Sequence, residues 1–181
     1  GQLLDIIHEA SGDEDIATAQ VVNRFKTAAY TIERPLHLGA ALAGADAATI
    51  AALRAYGTDI GVAFQLRDDQ LGVFGDPGVT GKPAGDDLRE GKRTVLIATA
   101  LQLADAATAD YIRGRLGRVF DPDEIAELTA AIAATGAAEH VEKLIGELTA
   151  NGLARIAGLG LPDGSEDALR GLAMQATARR T

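Results

Sequence analysis

Near the middle of the chain runs Phe64-Gln65-Leu66-Arg67-Asp68-Asp69-Gln70-Leu71-Gly72, a segment with helical spacing and two adjacent carboxylates. On a helix, residues three and four apart share a face, so Gln65, Asp68, Asp69 and Gly72 form one stripe. Neighbouring carboxylates repel one another unless a cation compensates them. Paired oxygen ligands without His or Cys suit Mg2+, which takes one or two carboxylates and completes its shell with water and substrate phosphate. The plain alternative is a solvated acidic face on an acidic protein. Two basic elements accompany the stripe. Upstream, Phe25-Lys26-Thr27-Ala28-Ala29-Tyr30 sets a lysine in the middle of an apolar helix face, where it either snorkels to water or meets an anion. Downstream, Asp76, Lys82, Asp86, Asp87 and Lys92 sit among glycines, so backbone can approach an anion and the lysines can act on it as point charges. Gln2 and Asp5, three apart, share a face of the opening helix. His8, His37 and His140 fall outside every one of these segments and read as structural or surface residues.

The elements that must position these groups are helices. Of 181 residues, 47% are apolar and 36 are Ala, the best helix former, while aromatic residues make up only 4%. No strand-like alternation persists, and the expected class is all-α. A helix is expected after the turn Ser11-Gly12-Asp13, running to about Thr31 and bent or broken just before Pro35. A long one should follow an Asp46 cap through Ile50, Leu53, Ile60, Phe64 and Leu71, with Gly57 and Gly61 loosening it. Residues 75–91 carry five glycines and two prolines with no periodic face; they read as a long surface loop, mobile until a ligand orders it. Further helices are expected over Thr94–Leu103, Ala106–Leu116, Ile125–Ala134 (after Asp121-Pro122-Asp123), Ala137–Ile156 and Ser165–Ala178.

A formal net charge of −9 is the wrong sign for non-specific binding to nucleic acid or to an anionic membrane. The absence of cysteine excludes disulfides, thiolate metal sites and thiol nucleophiles. Charged residues interrupt every apolar run before it reaches the length of a membrane span. A soluble protein of the cytoplasm is the expectation. The chain opens directly on Leu3, Leu4, Ile6 and Ile7, apolar and periodic, as a cut through a longer protein would.

Taken in order, GQLLD, KTAAYT, FQLRDD followed by GVFGD, and GK…GDDLREGKRT resemble the trans-isoprenyl diphosphate synthases, the polyprenyl synthetase family. The resemblance is close over about residues 1–100 and corresponds to the C-terminal part of a family member. It implies an isoprenoid-synthase-type helical bundle, Mg2+ as cofactor, isopentenyl diphosphate and allylic diphosphates as partners, and a homodimer. The implied reaction is ionisation of the allylic diphosphate, condensation with isopentenyl diphosphate and elimination of a proton, with geranylgeranyl or another short-chain diphosphate as product. Asp68 would bind Mg2+, supported by Asp69, and Asp87 would orient metal-bound water. Lys26, Lys82 and Lys92 would hold the allylic diphosphate. Thr27 and Gln65 would turn their oxygens to the allylic cation, Phe64 would lie beside isopentenyl diphosphate, and Gln2 and Asp5 would contribute from the opposite wall.

Two departures accompany the likeness. The family's second Asp-rich motif ends in a third aspartate, where this chain has Gly72, a change shared by members resembling actinobacterial geranylgeranyl diphosphate synthases. Its first Asp-rich motif lies upstream of the GQ helix and is absent from these residues, so this stretch alone is expected to be inactive. A terpene cyclase on the same fold, or a non-catalytic subunit of a heteromeric synthase, are the competing readings. The paired lysines argue against the first and the retained ligands against the second.

Overall fold

The computed structural model describes residues 1–81, 83, 85–119 and 121–178, and among them there is no strand. Helix α1 covers Gln2–Ser11 and ends on Gly12, whose φ of 66° is the left-handed conformation that glycine accepts without a Cβ penalty. The next helix, α2 (Ile16–Asn23), is capped by Asp15, whose carboxylate accepts from the Thr18 N–H at 3.1 Å. The cap thus lies beyond the Ser11–Asp13 turn that the sequence suggested.

The chain then does something the periodicity did not announce. It does not stop at Pro35 but widens into a π-helix over Arg24–Glu33, and continues as α3 over Arg34–Leu42. The Arg34 N–H reaches back five residues to the Ala29 carbonyl. In a regular α-helix the Pro35 ring would press on the carbonyl four residues before it; the wider turns ahead of the proline relieve that clash. π-Turns are rare and cluster at functional sites, and this one carries Lys26 and Thr27.

Helix α4 (Ala47–Phe74) is continuous over 28 residues, opened by Asp46 accepting from the Thr49 N–H at 2.7 Å. Gly57 and Gly61 do not loosen it. They are where the π-helix crosses at contact distance: a Cβ on Gly61 would lie 2.5 Å from the Ala28 Cα, and one on Gly57 3.0 Å from the Glu33 Cα. A glycine pair on one stripe thus brings two backbones together and sets the height of Thr27 opposite Gln65.

The segment expected to be a structureless loop holds two short helices, α5 (Pro77–Thr80) and α6 (Asp86–Glu90). Leu88 of α6 is fully buried and Asp87 is 6% exposed, so this part of the segment is anchored in the core. After it come α7 (Val95–Leu103), α8 (Ala106–Arg115), α9 (Pro122–Ala134), α10 (Ala137–Ile156) and α11 (Ser165–Thr177). Asp121 with Pro122 starts α9, as the sequence indicated. The main core joins Leu66 and Val73 of α4 to Leu88, to Leu96 and Ile97 of α7, and to Leu128, Val141 and Ile145 of the later helices. A smaller one gathers Leu53, Tyr56 and Ile60 of α4 with Ile156 and Ala173.

Helix α1 contributes little to either core. Leu3, Leu4, Ile6 and Ile7 are exposed, and His8 is its buried residue. No helix among the described residues is long and apolar enough to cross a membrane.

Candidate functional site

A cavity of about 110 Å3 opens where α1, α2, the π-helix, α4 and α6 converge. Asp5, Lys26, Gln65, Asp68, Asp69, Asp87 and Lys92 line it together, so segments far apart in sequence supply one site. Each lysine is held by an acid: Lys26 Nζ donates to Asp5, and Lys92 Nζ donates to Asp87 and, at 2.8 Å, to Glu90. The Lys92 N–H also reaches the Asp87 carbonyl at 3.0 Å, which closes α6 on itself.

Gln65 sits at the centre with both ends of its amide used. The Thr27 hydroxyl donates to its oxygen, and its Nε2 donates to Asp69 Oδ1 at 2.8 Å. The two contacts hold the amide between Thr27 and Asp69. The other Asp69 oxygen, Oδ2, is buried with no hydrogen-bond partner. Burial pushes the Asp69 carboxyl up to about 7, with the charges of Asp87 and Asp68 adding to it against the Gln65 hydrogen bond and the polar Asn23 amide nearby. Asp87 is raised as well, by burial first, with its Lys92 partner pulling the other way. Burial alone would lower Lys92, but its hydrogen bonds to Asp87 and Glu90 raise it further. The cavity is therefore an acidic centre short of positive charge, flanked by two cations already committed to neighbours.

Such a centre fits a divalent cation. Among the described residues no three His, Cys, Asp or Glu side chains form a cage by themselves. An ion that takes one or two carboxylates draws the rest of its shell from water and phosphate.

The remaining expected residues fall elsewhere. Gln2 is exposed and does not line this cavity. Phe64, one residue before Gln65, lines a separate apolar cavity of about 290 Å3 with Ile32, Leu36, Tyr56, Ile60 and Leu169. Lys82 lies outside the described residues.

The structure adds residues that the motifs did not contain. Asn23, 7% exposed and one helical turn before Lys26, lines the cavity with its Nδ2 buried and unpartnered beside Asp69. Its spacing from Lys26 was the available signal. Glu9, four residues after Asp5, extends the same face of α1 to the cavity. His8 sits behind the wall, its Nε2 3.0 Å from the Arg93 carbonyl, and ties α1 to the connection between α6 and α7 that carries Lys92.

Comparison with known proteins identifies the family. Residues 1–133 match the polyprenyl synthetase family. The geranylfarnesyl diphosphate synthase of Aeropyrum pernix is 37% identical over 142 residues, which is 78% of this chain and 43% of that protein. The (2E,6E)-farnesyl diphosphate synthase of Mycobacterium tuberculosis is 32% identical over 177 residues, 96% of this chain and 49% of the relative. Among solved structures, the geranylgeranyl pyrophosphate synthase of Corynebacterium glutamicum, complexed with isoprenyl diphosphate and magnesium, superposes with a TM-score of 0.96. It is 56% identical, and the match covers 99% of this chain and 51% of that one. The chain thus spans about half the length, or less, of the relatives it matches. With residues 1–133 matching its model and a fold that superposes on its members, this chain belongs to the polyprenyl synthetase family.

Proposed function

We propose that this chain is the C-terminal part of a prenyltransferase that condenses isopentenyl diphosphate with an allylic diphosphate, giving a short-chain product such as geranylgeranyl diphosphate. The observation that carries the reading is the buried, unpartnered Asp69 Oδ2 beside Asp68 and Asp87, with Lys26 and Lys92 on the same walls. Asp68 and Asp69 would hold Mg2+, with Asp87 beside them to orient its water. When bound, the ion neutralises the diphosphate leaving group as the allylic C–O bond breaks.

The chain's own residues do the rest. Lys26 and Lys92 exchange their carboxylate partners for diphosphate oxygens, and Lys82 joins them. Gln65, locked by Thr27 and Asp69, presents its remaining oxygen lone pair toward the allylic cation, with the Thr27 oxygen beside it. Phe64, from its separate apolar cavity, borders the isopentenyl diphosphate side, and Asp5 closes the opposite wall. The apolar face of α1, exposed at Leu3, Ile6 and Ile7, supports a further part of the protein packing there. That part would bring the other metal-binding aspartates, and the assembled enzyme is a cytoplasmic homodimer in this reading.

The test is Asp68→Asn in the longer protein, with Glu127→Gln as a matched acidic residue outside the cavity. Turnover of Asp68→Asn should fall at least about a hundredfold at every Mg2+ concentration, the loss expected when one group of an electrostatic clamp is removed. Glu127→Gln should change stability by no more than about 0.5 kcal/mol and leave the rate alone. Equal turnover of the two variants across the Mg2+ titration would overturn the assignment.

A further inference from the structure

Asn23 belongs to none of the motifs, yet it stands at a corner of the site. It is the last residue of α2, is 7% exposed, and lines the cavity together with Asp69, which is 4% exposed. Asn23 and Thr27 are four apart where α2 runs into the π-helix, and Gln65 and Asp69 are four apart on α4, so each pair shares a face. The two helices cross in opposite directions: Thr27 meets Gln65, Ala28 meets Gly61 and Glu33 meets Gly57. The same register sets Asn23 opposite Asp69. Two bonds of a chain around these four residues are made. The Thr27 hydroxyl donates to the Gln65 oxygen, and Gln65 Nε2 donates to Asp69 Oδ1 at 2.8 Å. The third is left open by two groups of opposite sense. Asn23 Nδ2 is a buried donor without an acceptor, and Asp69 Oδ2 is a buried acceptor without a donor.

We propose that Asn23 is a positioning residue for the prenyl transfer: in the loaded site its Nδ2 donates to Asp69 Oδ2, and through Asp69 it holds Gln65 at the angle that turns its oxygen to the allylic cation. Asp69 has two calls on it. Its Oδ1 holds Gln65, and its Oδ2 faces the place proposed for the cation. A carboxylate that swung to serve the second would carry the Gln65 amide with it, away from Thr27. A bond from Asn23 resists that swing. An ionised carboxylate offers about four lone-pair positions, so Oδ2 can accept from Asn23 at one and keep another free. The amide is also uncharged, so it braces the carboxylate without neutralising the charge that the site needs, as a lysine there would. The close crossing of Ala28 on Gly61 keeps the two helices from sliding, which leaves the side chain at 23 as the adjustable part of the brace.

This rests on the proposed prenyl transfer, and the experiment separates the two. Asn23→Leu keeps the volume and removes the donor, and Asn23→Ala removes the donor without adding apolar bulk. Each is made in the longer protein, alone and combined with Gln65→Ala, with thermal unfolding to show that it is folded. Affinity for magnesium pyrophosphate, by calorimetry, and KM for both substrates should stay within about threefold of wild type, while kcat falls at least about tenfold, the mark of geometry lost in the transition state rather than of binding. In the Gln65→Ala background the same change at 23 should cost no more than about twofold, because nothing is left to aim. The readout apart from turnover is the Gln65 side-chain amide, followed by NMR with magnesium pyrophosphate bound and identified by its absence from Gln65→Ala. Its protons should exchange at least about tenfold faster in the Asn23 variants. Variants with wild-type kcat or wild-type amide exchange, or a loss of kcat equal in both backgrounds, overturn the inference and leave the functional reading intact. A longer protein that condenses isopentenyl diphosphate with no allylic diphosphate overturns both.

Discussion

Helix α4 turns two long faces to the rest of the molecule, and they are built on opposite principles. Toward α10 and the two cores it offers Ile60, Ala63, Leu66, Arg67, Gln70 and Val73. The apolar members are buried and the polar ones matched: Gln70 Nε2 donates to the Ala138 carbonyl at 2.9 Å, and Arg67 donates to Thr177, Gln70 and Glu142. Toward the π-helix and α6 it offers Gly57, Gly61, Gln65, Asp68, Asp69 and Gly72. There backbones touch, and a carboxylate oxygen is left over. A closed face is worth stability in the free protein. An open one costs stability there, and the cost is returned only when a ligand matches it.

The largest effect should come from the closed face. Leu66 is fully buried among α4, α7 and α10 residues, and Leu66→Ala removes its contacts and leaves a hole. The expected loss is about 3–5 kcal/mol of unfolding free energy, read by denaturant titration. Because the face is structural, the fraction that remains folded should bind magnesium pyrophosphate with unchanged affinity. A loss under about 1 kcal/mol would mean that this face is not the frame of the site.

On the open face the sign reverses. Asp69 is raised to about 7 against an ordinary value of 3.8, so between these values the folded chain holds a proton that the unfolded chain has released. Stability must therefore fall as pH rises from about 4 to about 7, and stay low above that. Asp69→Asn keeps an acceptor for Gln65 and has no charge to bury. Without ligand it should be more stable than wild type above pH 7, by at most about 4 kcal/mol, with the advantage vanishing toward pH 4. Saturating Mg2+ and pyrophosphate should reverse the order, since the variant lacks the charge that the ion needs. Melting curves of the two proteins that run parallel from pH 4 to 8 would remove the contrast between the faces.

The difference between the faces also explains what could be read from sequence. The helical spacing of Gln65, Asp68 and Asp69 is local, and so are the Asp46 and Asp121–Pro122 starts; periodicity and capping chemistry are enough for these. The bonding of Lys26 to Asp5 and of Lys92 to Asp87 extends motifs already legible as charged. What escaped is what only packing decides. Gly57 and Gly61 read as weak points in an isolated helix, and become contact points once Ala28 and Glu33 lie against them. Pro35 reads as a stop, yet wider turns upstream absorb it. Asp87 and Leu88 sit in a run of glycines with no period, and only the burial of Leu88 in the core shows why α6 forms there. Asn23 carries an ordinary amide on an ordinary helix until Asp69 is placed beside it.

The smallest effect tests whether the two faces are independent. Arg67, between Leu66 and Asp68 in sequence, points to the closed side: its Nε reaches the Thr177 carbonyl at 2.9 Å, and its two Nη atoms reach Gln70 and Glu142 at 2.7 Å each. This holds the end of α11 against α4. Arg67→Lys keeps the charge but loses the planar fork, so directed bonds to separate elements cannot all be kept. Glu142 is largely exposed, which limits the worth of that pair, and the carbonyl and amide contacts carry most of the rest. A loss of about 1 kcal/mol is expected, constant between pH 5 and 9 because none of these contacts involves the raised carboxyls. Affinity for magnesium pyrophosphate should stay within about threefold of wild type. If it falls tenfold while stability drops by only that amount, the closed face is steering Asp68 across the helix. The division of α4 into a frame and a site would then have to be given up in favour of a single coupled element.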